Sequence, residues 1–347
     1  MKSIKLILIN IFITTFLLLI IEATSSIFYY YKNGFTRSFA SVWLVKKISN
    51  RFDQYRALSV VSKRPKFNFR EIIVSPKNNV EKKFGAYSLS SYEKNFSKFI
   101  FETKENNIPI VILWLPTLTN IDTNNFFENY FKQISKKNKV DFISMKYLLK
   151  KKKNEIFLTP YDNHYTRFAN NIISDKLNDY ISSKNFSNKK NFICDDIKGM
   201  WAQNKYEIWD IIPSVPYALS TDEFGFRKTN VKDHDRSKKT LITIGDSFTF
   251  GPYLPYHDTY PSSLHRKLNG EWNIINGGVS GFGIRSELDL LKDNFECLKP
   301  DLIILQVLDN DIENITNAKY NEYNWKGEVL DLTKEEKTFY NYLNKNK

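Results

Sequence analysis

The sequence predicts an α/β protein organised on a parallel sheet, and three observations predict it. Ile108 to Leu115 (IPIVILWL), Thr240 to Gly245 (TLITIG) and Asp301 to Val307 (DLIILQV) are short runs that are apolar with little alternation. Such runs suit strands buried on both faces of a parallel sheet. Between them lie segments with apolar residues at helical spacing, among them Tyr92 to Glu105 and Arg285 to Leu298. Two of the runs end in residues that turn the chain or carry chemistry, Gly245-Asp246-Ser247 and Leu308-Asp309-Asn310-Asp311.

The composition agrees with a folded chain. With 347 residues, 42% of them hydrophobic, and only 12 glycines and 11 prolines, the chain can bury one large α/β core plus extensions. The formal charge of +13 raises the question of nucleic acid. Its lysines are spread along the chain among abundant Asn, Ile and Phe, and Lys150 to Lys153 reads as a solvated surface turn. No zinc-finger, aromatic RNA-binding or P-loop signature accompanies the charge, so no nucleic-acid partner is expected. The two cysteines, Cys194 and Cys297, are too few for a disulfide framework or a cysteine-based metal site. A single bridge between them depends on export. No metal ion and no cofactor are expected.

Taken in order, residues 1–24 form a targeting segment. Lys2 and Lys5 precede an apolar run from Leu6 to Ile21, and Ala23 to Ser25 offers small residues for cleavage. This is either a signal anchor, giving an N-terminal membrane helix, or a signal peptide. The run is short against the roughly 20 residues of a span, but the aromatic cluster Phe28 to Tyr31 suits a membrane interface. Basic residues ahead of the run keep that end in the cytoplasm. The rest of the chain is therefore expected outside the cytoplasm, tethered to the cell membrane by one pass or secreted if cleaved.

Residues 25–89 read as a connector, with an amphipathic helix over Ser38 to Val61 and a loop over Lys63 to Lys82, where charge is mixed with proline. Tyr92 to Glu105 is a helix, Ile108 to Leu115 a strand, Phe126 to Lys136 a helix and Val140 to Met145 a strand.

Leu158 to Ile181 (LTPYDNHYTRFANNIISDKLNDYI) carries the first chemistry. Asp162 and His164 lie just before a helix whose apolar face is Phe168, Ile172, Ile173, Leu177 and Ile181. A carboxylate beside an imidazole can fix its tautomer and let it act as a general base for a serine. A turn histidine with a locally bonded aspartate is the plainer alternative. Of the other three histidines, His234 lies in a charged stretch, His257 in a loop and His265 on the polar side of a helix. His164 is the best base.

Residues 184–236 form a second connector, with Trp201, Trp209, Pro213 and Pro216, ending in a short hairpin about Glu223 to Arg227. Thr240 to Gly251 (TLITIGDSFTFG) then reads as strand, tight turn and helix opening. Ser247 at that junction is the candidate nucleophile, where unpaired backbone N–H groups favour a developing oxyanion; a serine that only caps the helix is the common alternative. Tyr260 to Leu268 is a helix, Trp272 to Ile275 a strand, and Asn276 to Gly283 (NGGVSGFG) a glycine-rich turn that lets backbone N–H groups approach a ligand. Arg285 to Leu298 is a helix. Asp301 to Val307 is the last strand, and Asn310 beyond it can offer an amide to an oxyanion.

Together these stretches resemble the SGNH, or GDSL, hydrolase superfamily of esterases, lipases and acyltransferases. The resemblance rests on Gly245, Asp246 and Ser247 for the first block, Gly281 within NGGVSG for the second, Asn310 within DND for the third, and Asp162 with His164 for the last. Gly225 to Arg227 is similar to the lead-in of many bacterial members. The resemblance implies Ser247 as nucleophile, His164 as base and Asp162 as its orienter. It implies an oxyanion hole from the N–H groups of Ser247 and Gly281 with the Asn310 amide.

Two departures are informative. Only Asn163 separates Asp162 from His164, a spacing that resembles the polysaccharide O-acetyltransferase branch and points to sugar acyl groups. The block order is also changed, since the Asp-His block precedes the serine. In a flavodoxin-like sheet the termini lie close together, so joining them and reopening the chain between the third and fourth strands gives this order. The fold class expected is thus a three-layer, flavodoxin-like α/β sheet in circularly permuted SGNH form. Residues 90–183 and 237–325 are its two halves, 184–236 the joining connector and 326–347 a tail; two incomplete halves are the rival. The function implied is an extracytoplasmic serine esterase or O-acyltransferase on O-acyl, chiefly O-acetyl, groups of a carbohydrate or other small ester. A non-catalytic envelope protein and a phospholipid lipase are the alternatives.

Overall fold

A computed structural model of the chain describes residues 14–17, 20, 69–122, 126–158, 162–186, 197–209, 217–230, 232, 234–235, 237–314 and 334. The chain divides into two compact units, Met1–Pro65 with Lys347, and Lys66–Asn346. Most of the apolar N-terminal run, the helix expected over Ser38 to Val61 and nearly all of the tail lie outside the described residues. No helix among the described residues is long and apolar enough to cross a membrane.

The larger unit opens with α1 (Phe69–Val74) and α2 (Asn79–Glu105), and then β1 (Ile110–Trp114), α3 (Phe126–Lys137) and β2 (Asp141–Ser144). After α4 (Lys146–Lys150), α5 (Lys153–Ile156) and α6 (Arg167–Ser182) comes an antiparallel ribbon of β3 (Tyr206–Trp209) and β4 (Tyr217–Ser220). The second half holds β5 (Lys239–Gly245), α7 (Ser247–Phe250), α8 (Tyr260–Lys267), β6 (Trp272–Gly278), α9 (Ile284–Leu298), β7 (Leu302–Val307) and α10 (Asn310–Asn314).

The loop expected over Lys63 to Lys82 is corrected by this order. α1 occupies part of it, and α2 begins at Asn79, thirteen residues before the helix expected from Tyr92. The physical reason is a good cap: Asn78 accepts from the Glu81 N–H at 2.9 Å, and Glu81 returns a carboxylate to the Lys77 N–H at 2.6 Å. β6 likewise runs through Asn276 to Gly278, which had read as the start of a turn.

Five strands form one sheet in the order β2-β1-β7-β5-β6, and every neighbouring pair is parallel. Counted from β5 and continued from the end of the chain to its start, the order becomes 2-1-3-4-5, that of a flavodoxin-like sheet. Alternate residues of each strand face opposite sides. Ile112, Ile242, Ile303 and Leu305 meet α2, α3 and α9 on one side, whereas Val111, Leu113, Leu241 and Ile304 meet α6 and α8 on the other. All of these strand residues are fully buried, each stabilising the fold by about 1.5–3 kcal/mol relative to exposure. Because the strands are parallel, their carboxyl ends share one edge, where the segments that follow β1, β2, β5, β6 and β7 can meet.

Cys297 of α9 is disulfide-bonded; Cys194 lies outside the described residues.

Candidate active site

The β5 strand ends at Gly245, beside Gly278 at the end of β6, and the two glycines let the chain turn closely into α7. A Cβ on Gly278 would lie 2.3 Å from the Phe250 nitrogen, and one on Gly245 would lie 2.4 Å from Gln306 Oε1 and 2.5 Å from Thr249 Oγ1. Only glycine therefore allows α7 to sit against the sheet edge. Thr249 fixes it there: its hydroxyl donates to Gln306 Oε1 at 2.8 Å and its carbonyl accepts from Asn276 Nδ2 at 3.1 Å. Asp246 caps α7, its carboxylate accepting from the Phe248 N–H at 2.9 Å. The helix is one turn long, so the donors available near Ser247 are individual N–H groups rather than the field of a long helix.

His164 comes from the loop between α5 and α6. That loop is pinned by hydrogen bonds from Leu158 N to His164 O at 2.9 Å and from Thr166 N to Ile156 O at 2.8 Å, around a bridge of Phe157 with Tyr165. The ring lies over Phe248 at 4.8 Å and edge-on to Tyr253 at 5.9 Å, and Tyr165 packs on the same Phe248 at 4.9 Å. Phe248, the residue after Ser247, thus sets the distance between the two loops.

His164 Nε2 lies 2.7 Å from Ser247 Oγ. Its Nδ1 contacts Asp162 Oδ1, and the same oxygen accepts from the His164 backbone N–H at 2.7 Å. Asp162 does not cap α6, since the Thr166 side chain performs that task. The side chains of His164 and Asp162 are 22% and 21% exposed, so a substrate can approach while the pair stays partly shielded. Burial pushes the Asp162 pKa up, but hydrogen bonds from the His164 ring and backbone, with the ring's charge, outweigh it and hold the carboxyl below its usual value. A serine hydroxyl, an imidazole and a carboxylate in this line can deprotonate the serine as it attacks a carbonyl.

The other expected residues are placed less directly. Gly281 stands in the turn after β6 with φ +84°, the left-handed region that favours glycine. Val279 N bonds Gly245 O at 3.0 Å, which keeps the start of this turn beside the end of β5. Asn310 begins α10, and its amide Nδ2 donates to Asp246 Oδ2 at 3.1 Å, not to Ser247. One proton of that amide remains for another acceptor.

Beneath this edge lies a carboxyl cluster that sequence reasoning missed. Asp246, Glu287 and Asp311 come from α7's cap, α9 and α10, and all are almost fully buried. Among the described residues, neither oxygen of Glu287 has a hydrogen-bond donor, and Asp311 Oδ1 also lacks one. Burial, with the neighbouring carboxyls, raises the pKa of Glu287 and Asp311 well above the ordinary range. The Asp before the helix start carried a capping signal; its long-range partners carried none.

No protein-family model matches the chain, and no curated protein matches it. Among solved structures the chain is similar to the O-acetyltransferase domain of Pseudomonas putida AlgJ, with 11% identity and a TM-score of 0.45 over 68% of this chain and 86% of that one. AlgX of Pseudomonas aeruginosa gives 13% identity and a TM-score of 0.40 over 62% of this chain and 56% of that one. PatB1 of Bacillus cereus gives 11% and 0.33, over 65% and 90%.

Proposed function

We propose that the chain is an SGNH-type serine esterase or O-acyltransferase, in circularly permuted form, acting on O-acetyl groups of a carbohydrate outside the cytoplasm. The observation that carries this reading is the 2.7 Å approach of His164 Nε2 to Ser247 Oγ, with Asp162 on the far side of the ring. The chain order of the sheet supports the permutation, because strands from both ends of the sequence share one sheet.

Ser247 Oγ attacks the acyl carbon while its proton passes to His164 Nε2. Asp162 holds Nδ1–H and stabilises the imidazolium that forms. The tetrahedral oxyanion faces the N–H groups of Ser247 and Gly281 and the second amide proton of Asn310. Collapse expels the leaving alcohol, which takes the proton from His164, and leaves the acyl group on Ser247. Water or a sugar hydroxyl then attacks the acyl-enzyme by the reverse path, giving hydrolysis or transfer.

The single residue between Asp162 and His164, a spacing similar to the polysaccharide O-acetyltransferase branch, supports a carbohydrate substrate. The disulfide at Cys297 supports an oxidising compartment, in keeping with an N-terminal segment that serves as membrane anchor or signal peptide. The test is turnover: the purified chain should release acetate from p-nitrophenyl acetate and from an acetylated oligosaccharide, and Ser247→Ala should release none. Equal rates for the two proteins would refute the reading.

A further inference from the structure

A second group of chemistry-bearing residues lies before β5, where the sequence alone led to no metal being expected. Asp222, Glu223 and His234 bring one carboxylate oxygen each and a ring nitrogen within 4.8 Å of one another. Asp222 is 3% exposed. Its Oδ1 accepts from the Phe224 and Phe226 N–H groups at 3.0 and 2.9 Å, while Oδ2 has no hydrogen-bond donor among the described residues and faces His234 Nε2 at 4.0 Å. A buried carboxylate oxygen without a donor is unfavourable, because the water it has lost is not replaced. The arrangement is held firmly. Gly225, at φ +84°, closes the turn with its N–H on Asp222 O, and Gly199 N and Trp201 N bond the carbonyls of Phe224 and Gly225.

The imidazole is held in one orientation. Glu223 Oε1 lies 2.8 Å from Nδ1 and also accepts the His234 backbone N–H at 2.7 Å, and Phe224 stacks on the ring at 5.5 Å. Nε2 faces Asp222 Oδ2 across the gap and makes a long hydrogen bond to the Ile274 carbonyl at 3.4 Å, which a bound ion would replace. A ring nitrogen and a carboxylate oxygen at this separation can flank one ion with bonds of about 2.0–2.2 Å after a small approach. A carboxylate on the opposite ring nitrogen is the arrangement that orients metal-bound histidines.

We propose that Asp222 and His234, with Glu223 behind the ring, bind a divalent transition-metal ion of the Zn²⁺ class. His234 Nε2 and Asp222 Oδ2 ligate it directly, and Glu223 holds the Nδ1 proton. Nitrogen with carboxylate oxygen suits Zn²⁺ or Mn²⁺ better than the all-oxygen shell of Ca²⁺. The ion would clasp the turn that carries Arg227, which bridges Asn276 of β6, and its role is stabilising rather than catalytic.

The test is stoichiometry. Full-length protein stripped with a chelator should take up one equivalent of Zn²⁺ at pH 7.5, read by elemental analysis after dialysis and by competition with a chromophoric chelator. Co²⁺ in its place should give visible absorption. Asp222→Asn and His234→Gln should lose that equivalent, and Glu223→Gln should weaken binding by about 10- to 100-fold. Wild-type protein that binds no stoichiometric ion overturns the proposal, as does an equivalent that survives in both Asp222→Asn and His234→Gln. A plain ion pair, with protonated His234 between two carboxylates, gives the first of these results. Should either ligand variant fail to fold, the wild-type stoichiometry and Glu223→Gln still decide.

Discussion

His164 Nε2 stands 2.7 Å from Ser247 Oγ although 83 residues separate them. The two loops meet because β2, which leads toward His164, and β5, which leads into Ser247, belong to one parallel sheet and so deliver their carboxyl ends to the same edge. Asp162 extends that line on the far side of the ring, and each part of the constellation can be tested separately.

Replacing Asp162 by Asn should lower turnover by about 10⁴-fold, since an amide against Nδ1 favours the wrong tautomer. The thermal midpoint should stay nearly unchanged, because Thr166 caps α6 and the oxygen of the new amide can still accept from His164 N. Rate and midpoint measured on that one variant check both halves; an unchanged rate would remove Asp162 from the mechanism.

Asn310→Ala should slow turnover by about 10²- to 10³-fold, the usual loss for one oxyanion donor. It should also destabilise the fold by about 1–3 kcal/mol, because Asp246 Oδ2 loses the amide that it accepts from. Denaturant unfolding beside a rate assay separates the two effects. A stability loss without a rate loss would make Asn310 purely structural.

Gly278→Ala should displace α7, as the new methyl meets the Phe250 nitrogen at 2.3 Å and the Thr249 carbonyl carbon at 2.6 Å. A shift of about 1 Å at Ser247 is enough to cost about 10²-fold in rate, and overpacking adds about 1–3 kcal/mol of destabilisation. A crystal structure of the variant with an assay would show whether the Ser247 to His164 spacing opens as rate falls.

Glu287→Gln tests the buried carboxyls through pH. The folded state holds the Glu287 proton more tightly than the unfolded chain does, with burial as the first cause and Asp246 as the second. Between the unfolded value of about 4.3 and the raised folded value, the native state binds more protons, so this group's contribution falls as pH rises. The wild-type midpoint should therefore decline relative to the Gln variant as pH is raised above about 4.3. Parallel midpoint curves would show that Glu287 does not titrate in this way.

Much of this was legible in the sequence, for a physical reason. Parallel strands buried on both faces must be apolar throughout, so β1, β5 and β7 stood out with nearly their observed bounds. Asp162, His164, Ser247 and Asn310 were singled out because together they resemble the SGNH blocks; each alone sits where a strand or loop turns and reads equally as a cap or turn residue. The full length of α2 was not legible, since the part before Tyr92 buries Gly85 and Ser88 beside Phe84. Ser88 satisfies its hydroxyl on the carbonyl of Phe84, which hides it from a search for apolar spacing. Asn276 to Gly278 read as a turn because glycine usually marks one, whereas here it clears room in a strand for α7. The link of Asn310 to Asp246 spans 64 residues and has no local signature.

The most direct test is covalent labelling of the proposed nucleophile, Ser247. Full-length protein treated with a fluorophosphonate at neutral pH should gain one adduct, located at Ser247 by peptide mass spectrometry, and Ser247→Ala should gain none. His164→Ala should label far more slowly while remaining folded, because the base that takes the hydroxyl proton is gone. Well-folded wild-type protein that stays unlabelled, or labels equally with and without His164, would contradict the account.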